Sequence, residues 1–332
     1  MRTARRGPGA LTAVLITALA VLAVVAVVSV GVGAHAIAPA DVVRALFAFD
    51  GSSDHVVVRD IRVPRAVLAL GAGAALAAAG LLVQVLSRNP LAEPGVLGVT
   101  AGSGFAITVG SALGLTATAL GEVVVAVLGA VVATLLVYSV GRGSPLRLVL
   151  TGVALSSVLA GASLGLRLML PDVFDEYRFW AVGSLAGREQ APNALPLSVI
   201  AVALVAALLL GRQLDVIALG ESTAHGLGAS VTRVRAASLV LITVLAGTAT
   251  AIAGPILFVG LMVPHVARRL AGASVPWAMA FAVVLGPVLL LVSDIGSRVL
   301  LPTGEVPVAI VTAFLGGPVL VWAVRRYGAA AL

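Results

Sequence analysis

The sequence predicts an all-α polytopic membrane protein of about ten transmembrane helices with an inverted internal repeat. Three observations carry that reading. Hydrophobic residues make up 60% of the 332 residues and charged residues only 11%, whereas a soluble globule needs about 25% charged residues to clothe its surface. Charge-free stretches close to the ~20 residues that cross a bilayer as helix recur along the chain. Nowhere does polarity alternate over about ten residues, as a membrane barrel strand requires.

The elements follow in order. The stretch 11–34 is preceded by Arg2, Arg5 and Arg6 and ends at Ala34-His35-Ala36, which resembles a signal cleavage site. Its 24 apolar residues exceed the roughly 7–15 of a secretory signal, so it reads as a first pass. The outer segment 35–65 is rich in both charges and closes on Arg62-Val63-Pro64-Arg65. Passes are expected at 66–86, 95–115, 123–141, 148–170 and 193–211. The segment 212–235 is polar enough to lie outside the bilayer on the inner side, as one or two surface helices. Between Arg235 and Arg268-Arg269 only 32 residues must go out and return. Proline lacks the N–H and clashes with the preceding turn, so Gly254-Pro255 divides this interval into a pass at 236–254 and a shortened one at 257–271. Passes at 276–299 and 305–324 complete the chain.

The arginines orient these passes. All 21 basic residues are arginine. With both termini inside, thirteen arginines face Glu93, Asp215 and Glu221 on the inner side, a net +10, and eight meet eleven acids outside, a net −3. That asymmetry is the positive-inside rule. The basic balance is therefore topological, and nucleic acid is not an expected partner.

Several chemistries are excluded outright. With no cysteine there is no disulfide, thiolate metal site or cysteine nucleophile. With no lysine there is no Schiff base, and no G-x-x-x-x-G-K-[ST] phosphate loop to bind ATP. His35, His55, His225 and His265 show no metal-site spacing, so no metal or cofactor is expected on this chain. One internal echo stands out. Asn89-Pro90-Leu91 with Pro94-Gly95-Val96-Leu97-Gly98 recurs, in the opposite orientation, as Gly254-Pro255-Ile256 with Phe258-Val259-Gly260-Leu261, and inverted repeats are a transporter habit.

Specific motifs join these features. RVPRAVLAL at 62–70, RNPLAEPGVLGVTAGSG at 88–104, DEYRFWAVGSLAG at 175–187, ALGESTAHGLG at 218–228, AGPILFVGLMVPHVARRL at 253–270 and the ending EVPVAIVTAFLGGPVLVWAVRR occur in one order. Together they resemble the iron-siderophore/cobalamin (FecCD-type) permease family of bacterial ABC importers, from about residue 40 to 326. The resemblance implies a ten-helix subunit in the bacterial cytoplasmic membrane, paired with a second permease subunit as homo- or heterodimer around a common pathway. It implies cytoplasmic ABC ATPases that carry ATP and Mg, and an extracytoplasmic substrate-binding protein.

The resemblance also assigns residues. Arg62, Arg65 and Arg298, at outer helix ends, would receive acidic residues of the binding protein; the alternative is interfacial anchoring by snorkelling, with Asp60 and Asp294 close enough to neutralise them. Leu219, Gly220, Glu221, Ala224, Gly226 and Gly228 would form coupling helices against the ATPase, with Leu214, Ile217, Leu219 and Leu227 as an apolar edge suited to a groove. Ser144, Pro145, Leu146 and Arg147 fall at the family's cytoplasmic gate. Only Ser144 keeps a hydroxyl there, and a plain turn is the rival reading. Gln84, Asn89, Ser156 and Ser157 are read as helix–helix hydrogen-bonding groups. Gly71, Gly73, Gly80, Gly152, Gly161 and Gly165 are read as packing sites, and Tyr177, Phe179 and Trp180 as an interfacial belt. The expected function is translocation of a ferric siderophore, with cobalamin or haem as alternatives in the same family. An ion-coupled secondary transporter is the rival from another class.

Overall fold

The computed structural model describes residues 7–33, 35, 37–141, 145–188, 190–218, 224, 226, 230–301 and 304–327. Among these the architecture is entirely helical. Seven helices are long and apolar enough to cross a membrane: α1 (Pro8–Gly31), α3 (Ser53–Ser87), α5 (Ala119–Gly141), α6 (Pro145–Met169), α8 (Ala194–Ala218), α9 (Val231–Ala253) and α11 (Val275–Val299). Two further apolar helices are α4 (Val99–Ala112) and α12 (Val308–Tyr327), and α10 (Val259–Ala271) is short with Arg268 and Arg269 in its last turn. Two short helices, α2 (Pro39–Phe47) and α7 (Pro171–Ala181), lie in the connections.

The bundle is organised around α3. Its apolar window is 83% buried, against 11% for α1 and α6. The cause is its Ala- and Gly-rich sequence, because small residues let neighbouring backbones approach. A Cβ on Gly73 would sit 2.7 Å from the Gly286 carbonyl oxygen of α11. One on Gly80 would collide with the Gly260 carbonyl of α10. Gly71 and Gly152 are packed as tightly, against Leu197 and the Val96 carbonyl, whereas Gly161 and Gly165 of α6 have nothing near them. The outward faces of α5, α6 and α8 carry Leu128, Leu168 and Val202, as a surface against lipid hydrocarbon would.

Helix α3 begins thirteen residues before the expected pass at 66. Val57–Arg62 is wound as a π-helix, and the Val63 N–H bonds back to the Val58 carbonyl. The chain thus stays helical up to Pro64, whose missing N–H falls in the first α turn, where proline is tolerated. Ahead of it, α2 buries Val42 and Ala45 against Ile37 and Val58 and turns Phe47 outward. The turn between them is closed by Asp50, whose carboxylate accepts from the Ser52 N–H at 2.9 Å, a bond that lowers its pKa from the ordinary value.

Two helices are half-length. At 1.5 Å per residue, the 14 residues of α4 and 13 of α10 span about 20 Å, less than the ~30 Å hydrocarbon core. A 3₁₀ turn, Pro94–Leu97, and Gly98 in the left-handed region precede α4. Helix α9 ends at Ala253, and Gly254 and Phe258 take φ of +72° and +69° before α10 starts. The two irregular segments meet against α3: a Cβ on Gly260 would lie 3.3 Å from Pro94 Cδ and 3.0 Å from the Leu76 carbonyl.

Candidate functional site

At one end of the bundle, α3 and α11 bring Arg62, Arg65 and Arg298 together. Arg65 donates from Nε to Asp294 Oδ1 at 2.9 Å and grips Glu305 with both terminal nitrogens, at 3.1 Å to Oε1 and 2.7 Å to Oε2. Asp294 is fully buried, and its Oδ2 faces Arg298 at 3.1 Å as an ion pair without hydrogen-bond alignment. Arg298 donates to the carbonyls of Ser29 and Val32 at 2.9 and 2.8 Å. Arg62 donates to Val30 and Gly31 at 3.1 and 2.7 Å, and to the His35 carbonyl. The last carbonyls of a helix have no partner within it, and α1 has no basic residue in its own last turn. Two arginines from elsewhere in the chain therefore cap α1.

The three guanidinium groups thus point inward, with residue exposures of 6%, 4% and 4% for Arg62, Arg65 and Arg298. Their burial within the chain does not match the snorkelling alternative. Arg65 and Arg298 meet two carboxylates, Asp294 and Glu305, while the carboxylate that acts on Arg62 is Asp54. Of the two that meet Arg65, Glu305 is open to solvent, its side chain 36% exposed beside Gly304 at φ +92°.

At the other end, Gln84 ties α3 to α10. Its Nε2 reaches the carbonyls of Gly260 and Leu261 at 3.2 and 3.3 Å, and its Oε1 accepts from Arg268 at 2.9 Å. Asp215 near the end of α8 accepts from the Val275 N–H of α11 at 2.6 Å. Helix α8 continues to Ala218, so the first part of 212–235 is helical, and Leu214 and Ile217 are buried inside the chain. They are core residues and not the exposed apolar edge expected of them. Ala224 is buried and Gly226 exposed, while Leu219, Gly220, Glu221, Leu227 and Gly228 lie outside the described residues. Ser144 does too; Pro145 opens α6, and Leu146 and Arg147 are exposed.

Between the ends, Glu93 lines two cavities. One, of about 400 Å³, is shared with Gly95, Val96 and, on α6, Gly152, Ser156 and Ser157. The other, of about 20 Å³, lies at the meeting of the irregular segments, with Thr100, Thr250 and Gly260 in its wall. The smaller holds about one water. The Glu93 carboxylate lies near the Phe258 backbone N–H at the start of α10.

The profile of the FecCD transport family matches residues 21–326. The chain belongs to that family. It is 46% identical over 316 residues, 93% of each chain, to the ferric enterobactin transport system permease protein FepD of Escherichia coli. It is 36% identical to the probable siderophore transport system permease protein YfiZ of Bacillus subtilis, over 86% of this chain and 87% of that one. The hemin transport system permease protein HmuU of Yersinia pestis is 33% identical over 80% and 82%. Among solved structures, a metal-chelate type ABC transporter in an inward-facing conformation superposes with a TM-score of 0.82 at 26% identity, covering 95% of this chain and 99% of that one. This FecCD protein is accordingly a membrane transport permease.

Two features of the FecCD chain escaped the sequence reading. Glu93 is one of three inner-side acids in the sequence, and only the return of 88–98 toward Leu76 reveals its cavities. Trp180 was grouped with an interfacial belt, yet it is 2% exposed and donates from Nε1 to the Thr250 carbonyl at 3.2 Å. Its partner Tyr177 stacks beneath the Arg167 guanidinium at 3.8 Å, and of the three aromatics Phe179 faces outward. An alternating run of aromatic and charged residues gives no sign of which ring turns in.

Proposed function

We propose that this FecCD-family chain is the transmembrane permease subunit of an ATP-driven importer for ferric siderophores. The likeness to siderophore permeases over nearly the whole of both chains carries the reading. In this reading ten passes cross the bacterial cytoplasmic membrane with both termini inside, and the half-helices α4 and α10 are matching parts of an inverted repeat. The chain pairs with a second permease subunit, and separate ATPase chains bind ATP and Mg. The segment 219–228 transmits their motion, and 144–147 closes the inner mouth. A loaded binding protein docks at the outer arginine cluster. Alternating access follows when ATP-driven closure shifts one set of packed helices against the other.

The test is reconstitution. Vesicles holding the permease, its ATPase and its binding protein should accumulate ferric siderophore only with ATP inside the ATPase-bearing face. Uptake without the ATPase, driven by a sodium or proton gradient, would favour the secondary-transporter class. Gly220→Trp with Glu221→Lys should leave insertion intact and separate ATP hydrolysis from uptake.

A further inference from the structure

We propose that Glu305 is an internal stand-in for the carboxylate of the docking partner, and that it must leave Arg65 when the partner arrives. The inference rests on the docking role given to the arginine cluster above.

Three observations lead to it. First, Asp294 and Glu305 both serve Arg65, Asp294 also serves Arg298, and Arg62 beside them donates to backbone carbonyls. Second, the two carboxylates differ in kind. Asp294 has no exposure, sits on α11 and bridges Arg65 and Arg298. Glu305 lies outside any helix, between α11 and α12, with its side chain 36% exposed. Third, Glu305 takes both terminal nitrogens of Arg65, while Asp294 holds Nε and shares Nη2 at 2.8 Å. A guanidinium presents a planar fork that suits one carboxylate in bidentate contact. An external acid can therefore engage Arg65 only in the seat that Glu305 fills.

Exchange of one carboxylate for another keeps the buried cation paired throughout, so the cluster never passes through an isolated buried charge, which would be costly. It also sets a threshold. A site that is free for only a fraction of the time binds more weakly by that fraction, so an acid that meets Arg65 without further contacts is held off. The partner is a protein surface with an acidic side chain that can reach between the ends of α3 and α11.

The exchange predicts a gain of affinity from a lost charge. If Glu305 holds Arg65 about nine-tenths of the time, its removal tightens partner binding about tenfold. The experiment measures binding of the siderophore-loaded, extracytoplasmic binding protein to the reconstituted transporter in nanodiscs, at low and high salt. Glu305→Gln should bind several-fold tighter than the parent, with the advantage shrinking as salt screens the charges. Arg65→Gln should bind more weakly, and chromatographic homogeneity and melting temperature check that each variant is folded. If Glu305→Gln binds equally or more weakly while Arg65→Gln loses affinity, the cluster docks the partner but Glu305 is no stand-in, and the proposal falls alone. If neither change alters binding, the cluster is purely structural and the docking role falls with it.

Discussion

Asp294 on α11 and Arg65 on α3 are joined by a 2.9 Å hydrogen bond across 229 residues of sequence, with both side chains buried. Because Asp294 also faces Arg298, one carboxylate holds two guanidinium groups, and through Arg298 the contact extends to the last carbonyls of α1. Removing one partner from a buried pair typically costs about 3–5 kcal/mol, since the remaining charge loses its compensation. Asp294→Ala should therefore lower the melting temperature of the purified protein sharply and reduce its yield of monodisperse material. Asp294→Asn keeps the shape and one acceptor and should fall between the two. A melting curve equal to the parent for the alanine variant would show that the cluster does not hold these helices.

The crossing of α3 and α10 makes a second prediction. Gly80 has no room for a Cβ against the Gly260 carbonyl, and the three atoms in the way all belong to backbone. Overpacking of this kind costs about 1–3 kcal/mol where neighbours can shift. Here it would push α10 away from Gln84 and weaken the bonds to Gly260 and Leu261. Gly80→Ala should thus impair uptake and stability together. Gly161→Ala on α6, where nothing lies within reach, should leave the stability of the chain unchanged.

What the sequence makes legible follows from what the bilayer itself demands. Long apolar stretches are dictated locally, because a spanning residue meets either hydrocarbon or the apolar packing of its neighbours, and its backbone must bond within the helix. A break at Gly254-Pro255 is also local, since proline has no N–H to continue the ladder. Other features are not encoded near the residues concerned. An arginine near a helix end states a charge and not a direction, and the inward turn of Arg65 depends on Asp294 and Glu305, which lie more than 200 residues away. Helices α2 and α7 are too short and too polar to show the signature of a span. The buried Leu214 and Ile217 looked like an exposed edge because their polar neighbours Arg212, Gln213 and Asp215 set the average character of the segment.

Topology gives a third prediction, and the absence of native cysteine makes it clean. If α9 runs outward and α10 returns, Ala273, just beyond α10, lies inside, while Ala48, just beyond α2, lies outside. Both residues are exposed. In intact cells an impermeant maleimide should label Ala48→Cys and spare Ala273→Cys, and opening the membrane should make both reactive. Labelling of Ala273→Cys from outside would remove the paired half-helix arrangement.

The final prediction concerns Glu93, which brings a carboxylate from the connection before α4 to the first turn of α10. Phe258 stands at the N-cap position of α10 with φ +69° and no side-chain cap of its own. The Glu93 carboxylate, near the Phe258 N–H, is placed to supply from outside the helix what a cap would supply from within. The helix dipole favours a negative charge there against the burial that opposes it, and an unsatisfied buried N–H costs about 1–3 kcal/mol. The same side chain faces the cavity that it shares with Ser156 and Ser157 of α6, so the joint between the half-helices touches the open space beside α6. Glu93→Ala should speed hydrogen exchange at the amides of residues 258–262 and lower uptake about tenfold, with insertion unaffected. Glu93→Gln retains an acceptor but loses the charge, and should restore part of both effects. Exchange at these amides that is indifferent to Glu93 would mean that α10 is capped without it, and any loss of uptake would then belong to the cavity.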